Sequence, residues 1–430
     1  MAVTATVSRV AGPRPRRIAY LTSRFPHVSE TWIVREIDGV ASTGDFEISL
    51  MSLFPPVDPT VHPAAEPWLA VLRQGSAPDA VRGVLYWLVR SPLGLLGSLP
   101  PIVWAFRRRP RLLARSLVTW AIAAGQARVV RERDIEHLHA HYATYPALAA
   151  WVMGRLTGVP YSFTAHAHDI YLDQSFLAHL VPDAEFVCAI SEFNVRFLSR
   201  FDPTQRTPLY VVHMGVDPDR YAFRPRTPPR AGTVRVACVA SLLEYKGHRV
   251  LFQALAAGRG GSLDRVELDL AGRGKLREEL VSLAHALGIG ERVHFHGALT
   301  EPRVAELLDR AHLFVLPSII VKRSGWMEGI PVSLMEAMAV GLPVVTTQTS
   351  GVAELVRDRQ TGLLAEESDP SSLAAVLARA VDEPEHDVRQ RLKAARALVE
   401  AEFDARTCAR RMAELLGAPS DRPIAEPTDP

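Results

Sequence analysis

The chain has 430 residues, 48% of them hydrophobic, so it is long and apolar enough to fill the cores of two domains. Its formal net charge is only +2, and no nucleic-acid partner is expected. The three cysteines, at positions 188, 238 and 408, match no metal or redox spacing, which indicates a reducing, cytoplasmic compartment. The first seventeen residues contain arginines but no apolar stretch, so the sequence predicts no signal peptide.

The charge is distributed unevenly along the chain. Residues 1–232 contain 25 Arg and Lys against 19 Asp and Glu, whereas the remainder contains 24 against 28. The first part has no lysine at all, so its positive charge is arginine, which does not lose its proton and pairs well with phosphate.

The first half alternates apolar runs with helical patterns, as in α/β domains. After the first strand, Ser29 is a good N-cap for a helix that carries Trp32 and Ile33. No G-x-G-x-x-G follows that strand, which argues against a dinucleotide-dependent dehydrogenase. The strands predicted in this half are 16–23, 46–53, 135–141, 161–164, 186–191 and 208–213.

Residues 80–131 contain nine arginines and no acidic residue, with apolar clusters between the charges. Arg90 and the prolines at 92, 100 and 101 interrupt any span of twenty apolar residues, which argues against a transmembrane helix. Two interpretations remain open. The segment forms short amphipathic helices in an anionic membrane interface, or it is a helical insertion packed on the first domain with an exposed basic face.

Two groups of polar side chains follow predicted strands of the first half. His137, His139 and His141 share one face of a strand, but no carboxylate or cysteine completes a zinc spacing, so no metal is predicted. His166 and Asp169 follow the strand that ends at Thr164, at the carboxyl end where open α/β sheets bind ligands.

In the second half, His312 to Leu316 predicts a buried strand, and Pro317 to Gly351 then predicts a glycine-containing loop, a helix and another strand at 343–347. Pro331 suits the first helical position and Gly341 the helix end. A phosphate is stabilised at such a helix start, and Glu328 and Glu336 flank it with carboxylates that accept hydrogen bonds from neighbouring hydroxyls. The segment therefore suits a diphosphate with a polyol on each side, which is a nucleotide sugar.

The run from Glu328 to Glu336 resembles the E-x7-E signature of retaining family 4 glycosyltransferases, which have the GT-B fold. The FPHVSETW run near the N-terminus and the FTAHAHDIY run are similar to motifs of the exopolysaccharide and colanic-acid members of that family. The resemblance covers nearly the whole chain. It implies an α/β chain with two doubly wound Rossmann-like domains facing a central cleft.

The resemblance also implies roles for particular residues. Catalytic roles fall on Glu328 at the donor sugar, His166 facing that sugar, and Lys246 at the leaving phosphate. The residues expected to bind the donor are Ser241, Gly272, Arg273, Gly329, Ile330, Pro331 and Glu336, with Glu336 on the ribose. Those expected on the acceptor side are Ser29, Glu30, His168 and Asp169. Ser241 replaces the family's arginine, and Arg273, Lys322 and Arg323 are candidates to complete the cationic clamp.

The resemblance implies a retaining hexosyltransferase of bacterial polysaccharide synthesis that uses a UDP-sugar or GDP-mannose, without cofactor or metal. It would be cytoplasmic or peripheral on the inner face of the plasma membrane, and its acceptor a glycan or a lipid-linked glycan. The alternatives are an epimerase-like enzyme on the same fold and a catalytically weak partner subunit. The expected organisation is an acceptor domain (1–217), a linker (218–232), a donor domain (233–404), a helix returning to the first domain (405–416) and a disordered tail (417–430).

Overall fold

The computed structural model describes residues 14–27, 30–56 and 61–418. Ser29 and most of the predicted tail, residues 419–430, lie outside this part of the chain. The chain divides into two compact units. The described residues before Tyr142, residues 145–162 and the chain end from Ala409 form the first unit, and residues 142–144 and 163–408 form the second.

The first sheet has seven strands in the order β3-β2-β1-β4-β5-β6-β7. The middle residues of its central strands are buried on both faces, including the three histidines of β4, which is the pattern of a parallel sheet covered by helices. The edge strand β3 was not predicted. The strands are β1 (Arg16–Arg24), β2 (Phe46–Phe54), β3 (Leu72–Gln74), β4 (His137–His141), β5 (Tyr161–Ala165), β6 (Phe186–Ala189) and β7 (Leu209–Val211).

The second sheet has six strands in the order β10-β9-β8-β11-β12-β13, and all its pairings are parallel. Its strands are β8 (Val234–Val239), β9 (Val266–Ala271), β10 (Val293–Gly297), β11 (Leu313–Leu316), β12 (Val344–Thr347) and β13 (Leu363–Ala365). In both sheets the strand order reverses direction beside the first strand, so the prediction of two doubly wound α/β sheets is confirmed.

Helices connect the strands of both sheets. In the part of the chain that the structure describes, no helix is long and apolar enough to cross a bilayer. The helices before residue 200 are α1 (Thr31–Ser42), α2 (Ala77–Arg90), α3 (Pro92–Gly97), α4 (Leu99–Phe106), α5 (Pro110–Glu132), α6 (Tyr145–Thr157), α7 (His168–Tyr171), α8 (Leu177–Asp183) and α9 (Glu192–Leu198). Those after it are α10 (His248–Ala257), α11 (Arg277–Ala286), α12 (Glu301–Arg310), α13 (Val332–Val340), α14 (Val352–Leu355), α15 (Pro370–Asp382), α16 (Glu385–Glu402) and α17 (Ala405–Gly417).

The basic apolar segment forms α2 to α5, and α2 crosses α5 through glycine. A Cβ at Gly83 would overlap the backbone of Gly125, so only glycine permits this approach. The indole of Trp87 donates to the Ala124 carbonyl at 2.9 Å and is buried with Gly83 on the inner face of α2. The opposite face of α2 therefore points outward, although it is largely apolar.

The last two helices, α16 and α17, are separated at Phe403 and Asp404. Val216 pairs with Asp404, donating to the Phe403 carbonyl at 2.9 Å and accepting from the Ala405 N–H at 2.8 Å. Asp404 then caps α17 through the Arg406 N–H at 2.7 Å. The predicted linker, residues 218–232, packs on α13, since the Arg224 N–H donates to the Val340 carbonyl at 3.0 Å.

Candidate functional site

Three turns of the second unit meet at the carboxyl ends of β8, β9 and β11. Gly247 has a φ of 71°, and a Cβ there would overlap the carbonyl oxygen of Pro317, which follows β11. Gly272 has a φ of 151°, and a Cβ there would overlap the carbonyl oxygen of Ala240, directly before Ser241. Glycine is required at both positions for conformation and for space, so these turns are held against one another.

Lys246 and Glu328 form an ion pair where these turns meet. Their side chains are only 12% and 15% exposed. Burial lowers the pKa of Lys246, but the neighbouring Glu328 carboxylate and Tyr245 outweigh this, and the pKa lies above its ordinary value. The ammonium therefore stays charged at neutral pH, and a fixed cation stands at the sheet edge.

The three candidates for completing the cationic clamp are exposed side chains of the surrounding turns. Arg323 is bound by Glu244 at 3.2 Å, while Arg273 and Lys322 extend from their turns toward solvent. Next to them, Tyr245 and Trp326 stack with ring centroids 5.1 Å apart, a contact that sequence reasoning missed.

The loop before α13 carries the predicted donor residues Gly329, Ile330 and Pro331, all buried. Pro331 is extended at the N-cap and α13 begins at Val332, so the prediction of Pro331 as the first helical residue is wrong by one position. The Ser350 hydroxyl, which the sequence analysis did not identify, donates to the Glu328 carbonyl at 2.6 Å and fixes the loop.

Glu336 lies one helical turn into α13 and is half-buried. The Tyr221 hydroxyl donates to its carboxylate at 3.0 Å. Tyr221 belongs to the segment predicted as a linker, so that segment orients a predicted donor residue.

The loop after β5 is built around Asp169, whose carboxylate is buried. It accepts the backbone N–H of Ala143 at 2.8 Å, of His166 at 3.0 Å and of Ala167 at 2.8 Å. A carboxylate that accepts several N–H groups holds its loop in one conformation. Asp169 therefore positions His166, which is buried, while His168 is exposed at the start of α7.

The His166 loop lies directly against the Gly329 loop within the second unit. A Cβ at Gly329 would lie 2.6 Å from the Ile190 side chain and 3.5 Å from the His166 carbonyl oxygen. Asn194 donates to that carbonyl and accepts from the Tyr171 hydroxyl. Motifs about 160 residues apart are thus brought together, and Asn194, which sequence reasoning missed, supports the contact.

A second such contact joins α9 to the segment after β12. The Glu354 carboxylate accepts the N–H of Glu192 at 3.0 Å and of Phe193 at 3.2 Å, at the helix end capped by Ser191. Glu354 was not predicted as a site residue, because no sequence pattern links it to partners so far away along the chain.

Of the predicted acceptor residues of the N-terminal motif, the structure describes Glu30, which belongs to the first unit. Glu30 stands at the N-cap of α1 and makes no side-chain cap hydrogen bond. Its carboxylate lies 4.0 Å from His27 Nδ1.

Two adjoining regions of the chain match protein-family models. Residues 75–220 match the model "Glycosyltransferase Family 4", and residues 219–397 match "Glycosyl transferases group 1". The amylovoran biosynthesis glycosyltransferase AmsK of Erwinia amylovora is 29% identical, over 93% of this chain and 99% of the relative. The putative colanic acid biosynthesis glycosyltransferase WcaL of Escherichia coli is also 29% identical, over 94% and 100%.

Solved structures with similar architecture include sucrose-phosphate synthase of Thermosynechococcus elongatus. It has a TM-score of 0.68 and 18% identity, over 94% of this chain and 98% of that one. Anabaena HepE in complex with UDP and glucose gives 0.65 and 19%, over 93% and 99%. At these identities the likeness establishes a shared fold.

Proposed function

Since the chain is a glycosyltransferase of the GT-B fold, with a family 4 region followed by a group 1 region, we propose that it transfers a hexose from a nucleotide-diphosphate sugar to a hydroxyl of a glycan or lipid-linked acceptor. The transfer retains the anomeric configuration and serves polysaccharide synthesis. The relatives named for amylovoran and colanic acid biosynthesis and the UDP in HepE support this proposal.

One observation carries the proposal: the Lys246–Glu328 pair beside the start of α13. The leaving nucleotide diphosphate gains negative charge as its bond to the sugar breaks, and a preorganised cation stabilises that charge. Lys246 and the N–H groups at the start of α13 take this role, Glu328 orients sugar hydroxyls, Glu336 holds the ribose, and His166 contacts the sugar. The acceptor hydroxyl attacks the face from which the diphosphate departs, without a protein nucleophile.

Product analysis from a donor panel tests this function. Purified enzyme is incubated with UDP- and GDP-sugars, with and without a glycan acceptor, and products are identified by mass spectrometry and anomeric NMR. The proposal expects an α-linked product from an α-linked donor only when acceptor is present. An epimerised sugar released without acceptor, or tight donor binding without turnover, would contradict it in favour of an epimerase or a non-catalytic subunit.

A lipid-linked acceptor fits the outward face of α2 to α4. The inner face of α2 packs through Gly83 and Trp87, whereas Val89 and Leu93 are each 87% exposed and Trp104 is 66% exposed. Exposed arginines of the same segment lie at positions 90, 107, 108, 109 and 111, and Arg107 packs over the Trp104 ring. The segment thus combines exposed apolar side chains with positive charge, which suits an anionic bilayer.

Vesicle flotation tests this part of the proposal. Each arginine near an anionic surface contributes about 1 kcal/mol, so replacing arginines 107, 108, 109 and 111 with glutamine weakens binding by roughly three orders of magnitude. The matched control replaces four exposed arginines of the second unit, at positions 277, 303, 310 and 359. Wild-type protein that stays unbound to phosphatidylglycerol vesicles at low salt would refute the membrane assignment.

A further inference from the structure

A carboxylate and two imidazoles converge inside the first unit. Glu36 comes from α1, and His139 and His141 come from β4. One side-chain ligand atom of each lies within 4.8 Å of the other two. In the sequence, no carboxylate lies near the histidines of β4 at a metal-ligand spacing. In the fold, Glu36 brings a carboxylate to them from about 100 residues away. The proposed sugar transfer assigns none of these residues a role.

The distances suit an ion between the three groups. His141 Nε2 lies 3.3 Å from Glu36 Oε1, and His139 Nε2 lies 4.0 Å from it. Both separations exceed the usual 2.7–3.2 Å of an N–H···O bond. Metal–ligand bonds of about 2.0–2.1 Å in tetrahedral geometry place neighbouring ligand atoms about 3.4 Å apart. The Glu36–His141 separation lies close to that value, and the Glu36–His139 separation is longer.

The surroundings orient the three groups as ligands. His139 Nδ1 lies 2.8 Å from the Ser162 hydroxyl, which directs Nε2 toward Glu36. The Tyr20 hydroxyl donates to the Glu36 carboxylate at 3.2 Å. In metalloproteins the second nitrogen of a ligating histidine and the ligating carboxylate are commonly held by such partners.

Burial and charge favour a cation at this point. His139 and His141 are fully buried, and the Glu36 side chain is only 14% exposed. A mostly buried carboxylate is stabilised by a neighbouring positive charge.

We propose that Glu36, His139 and His141 bind one divalent first-row transition-metal ion, of which Zn²⁺ is the test case. Two histidines and one glutamate form a ligand set that catalytic zinc sites use with a further position open. The open position takes an oxygen ligand, either water or a substrate hydroxyl. This site is independent of the Lys246–Glu328 pair, so either assignment can fail while the other stands.

Metal content after loading tests the proposal. The full chain, freed of any purification tag, is equilibrated with one equivalent of Zn²⁺, desalted, and analysed by inductively coupled plasma mass spectrometry. Wild-type protein is expected to retain about one equivalent, and Glu36→Gln and His141→Asn at least tenfold less. His213→Asn is the control, because His213 lies in the second unit, outside the cluster, and contacts the Ile190 carbonyl at 2.9 Å. It retains the wild-type amount.

A second measurement covers variants that fail to fold. Titration of wild-type protein with Co²⁺ gives a visible absorption band that saturates at one equivalent and disappears on adding Zn²⁺. Two outcomes overturn the proposal: wild-type protein that elutes without zinc and gives no saturable band, or folded Glu36→Gln protein that retains as much zinc as wild type. In either case the cluster is a hydrogen-bonded polar network only.

Discussion

Replacing Lys246 with methionine and Glu328 with glutamine, singly and together, separates the two roles of their ion pair. Each single change leaves the other charge mostly buried without its counter-ion. Breaking a buried pair in this way costs about 3–5 kcal/mol, and the residual exposure of both side chains favours the lower value. About 3 kcal/mol lowers the melting temperature of a unit this size by about 6–12 °C.

The double variant is expected to behave differently in stability and in turnover. The free energy of unfolding of the double variant should lie within about 1 kcal/mol of the wild-type value, because its two neutral side chains have volumes similar to those they replace and no charge is left buried alone. Turnover stays low, since a preorganised donor aimed at developing charge contributes about 10²–10³ in kcat. Stability is thus recovered while catalysis is not.

Thermal unfolding followed by circular dichroism measures the first effect, and release of nucleotide diphosphate with a saturating donor measures the second. Lys275→Met, at an exposed lysine of the turn after β9, is the control and should match wild type in both. The reasoning is wrong if both single variants melt within 1 °C of wild type, or if the double variant recovers wild-type turnover.

Three further changes test the local structure. Gly247→Ala should destabilise the fold by about 1–2 kcal/mol of left-handed backbone strain and by about 1–3 kcal/mol more from overlap with a carbonyl. Gly297→Ala, at a φ of 70° with open space around it, should cost only the backbone strain. Equal melting temperatures of the two variants would contradict this. Burial, and then the Lys246 charge, lower the pKa of His248 to about 4 in the folded chain. As the pH falls below about 6.5, the unfolded chain takes up a proton on this histidine before the folded chain does. The free energy of unfolding therefore falls by roughly 3 kcal/mol between about pH 6.5 and about pH 4. His248→Leu should flatten this acid limb of the melting curve, and an unchanged slope would exclude His248 as its cause. Asp169→Asn should cost at least about 2 kcal/mol, because the amide accepts fewer N–H bonds; a wild-type melting temperature would show that Asp169 does not hold its loop.

The family and the fold class were correctly predicted because both depend on local patterns. Apolar runs predicted β1 and β2 to within one residue at their carboxyl ends. The three-residue edge strand β3 carries too little apolar pattern to be recognised. The break between α16 and α17 lies at Phe403 and Asp404, where Asp404 pairs with the backbone of Val216.

The site was less predictable than the fold because its contacts join distant segments. The Lys246–Glu328 pair spans 82 residues, and Glu354 reaches the start of α9 across more than 160. The motifs identified Lys246 and Glu328 as site residues. They did not predict that the two side chains form an ion pair, and they did not identify Ser350, Asn194 or Glu354. The roles of the motif residues stay predictions. The same limit explains why Glu36 was not connected to the histidines of β4.

Under the donor roles proposed for these turns, the interlocked glycines constrain how donor preference can change. Residues 240–247, 271–276 and 317–331 touch through Gly247 and Gly272 with no room for a methyl group. Grafting any one of these segments from a homologue with different backbone spacing would displace the other two. New sugar specificity is therefore expected to require exchanging all three as a single cassette, or changing only side chains that leave their backbones in place.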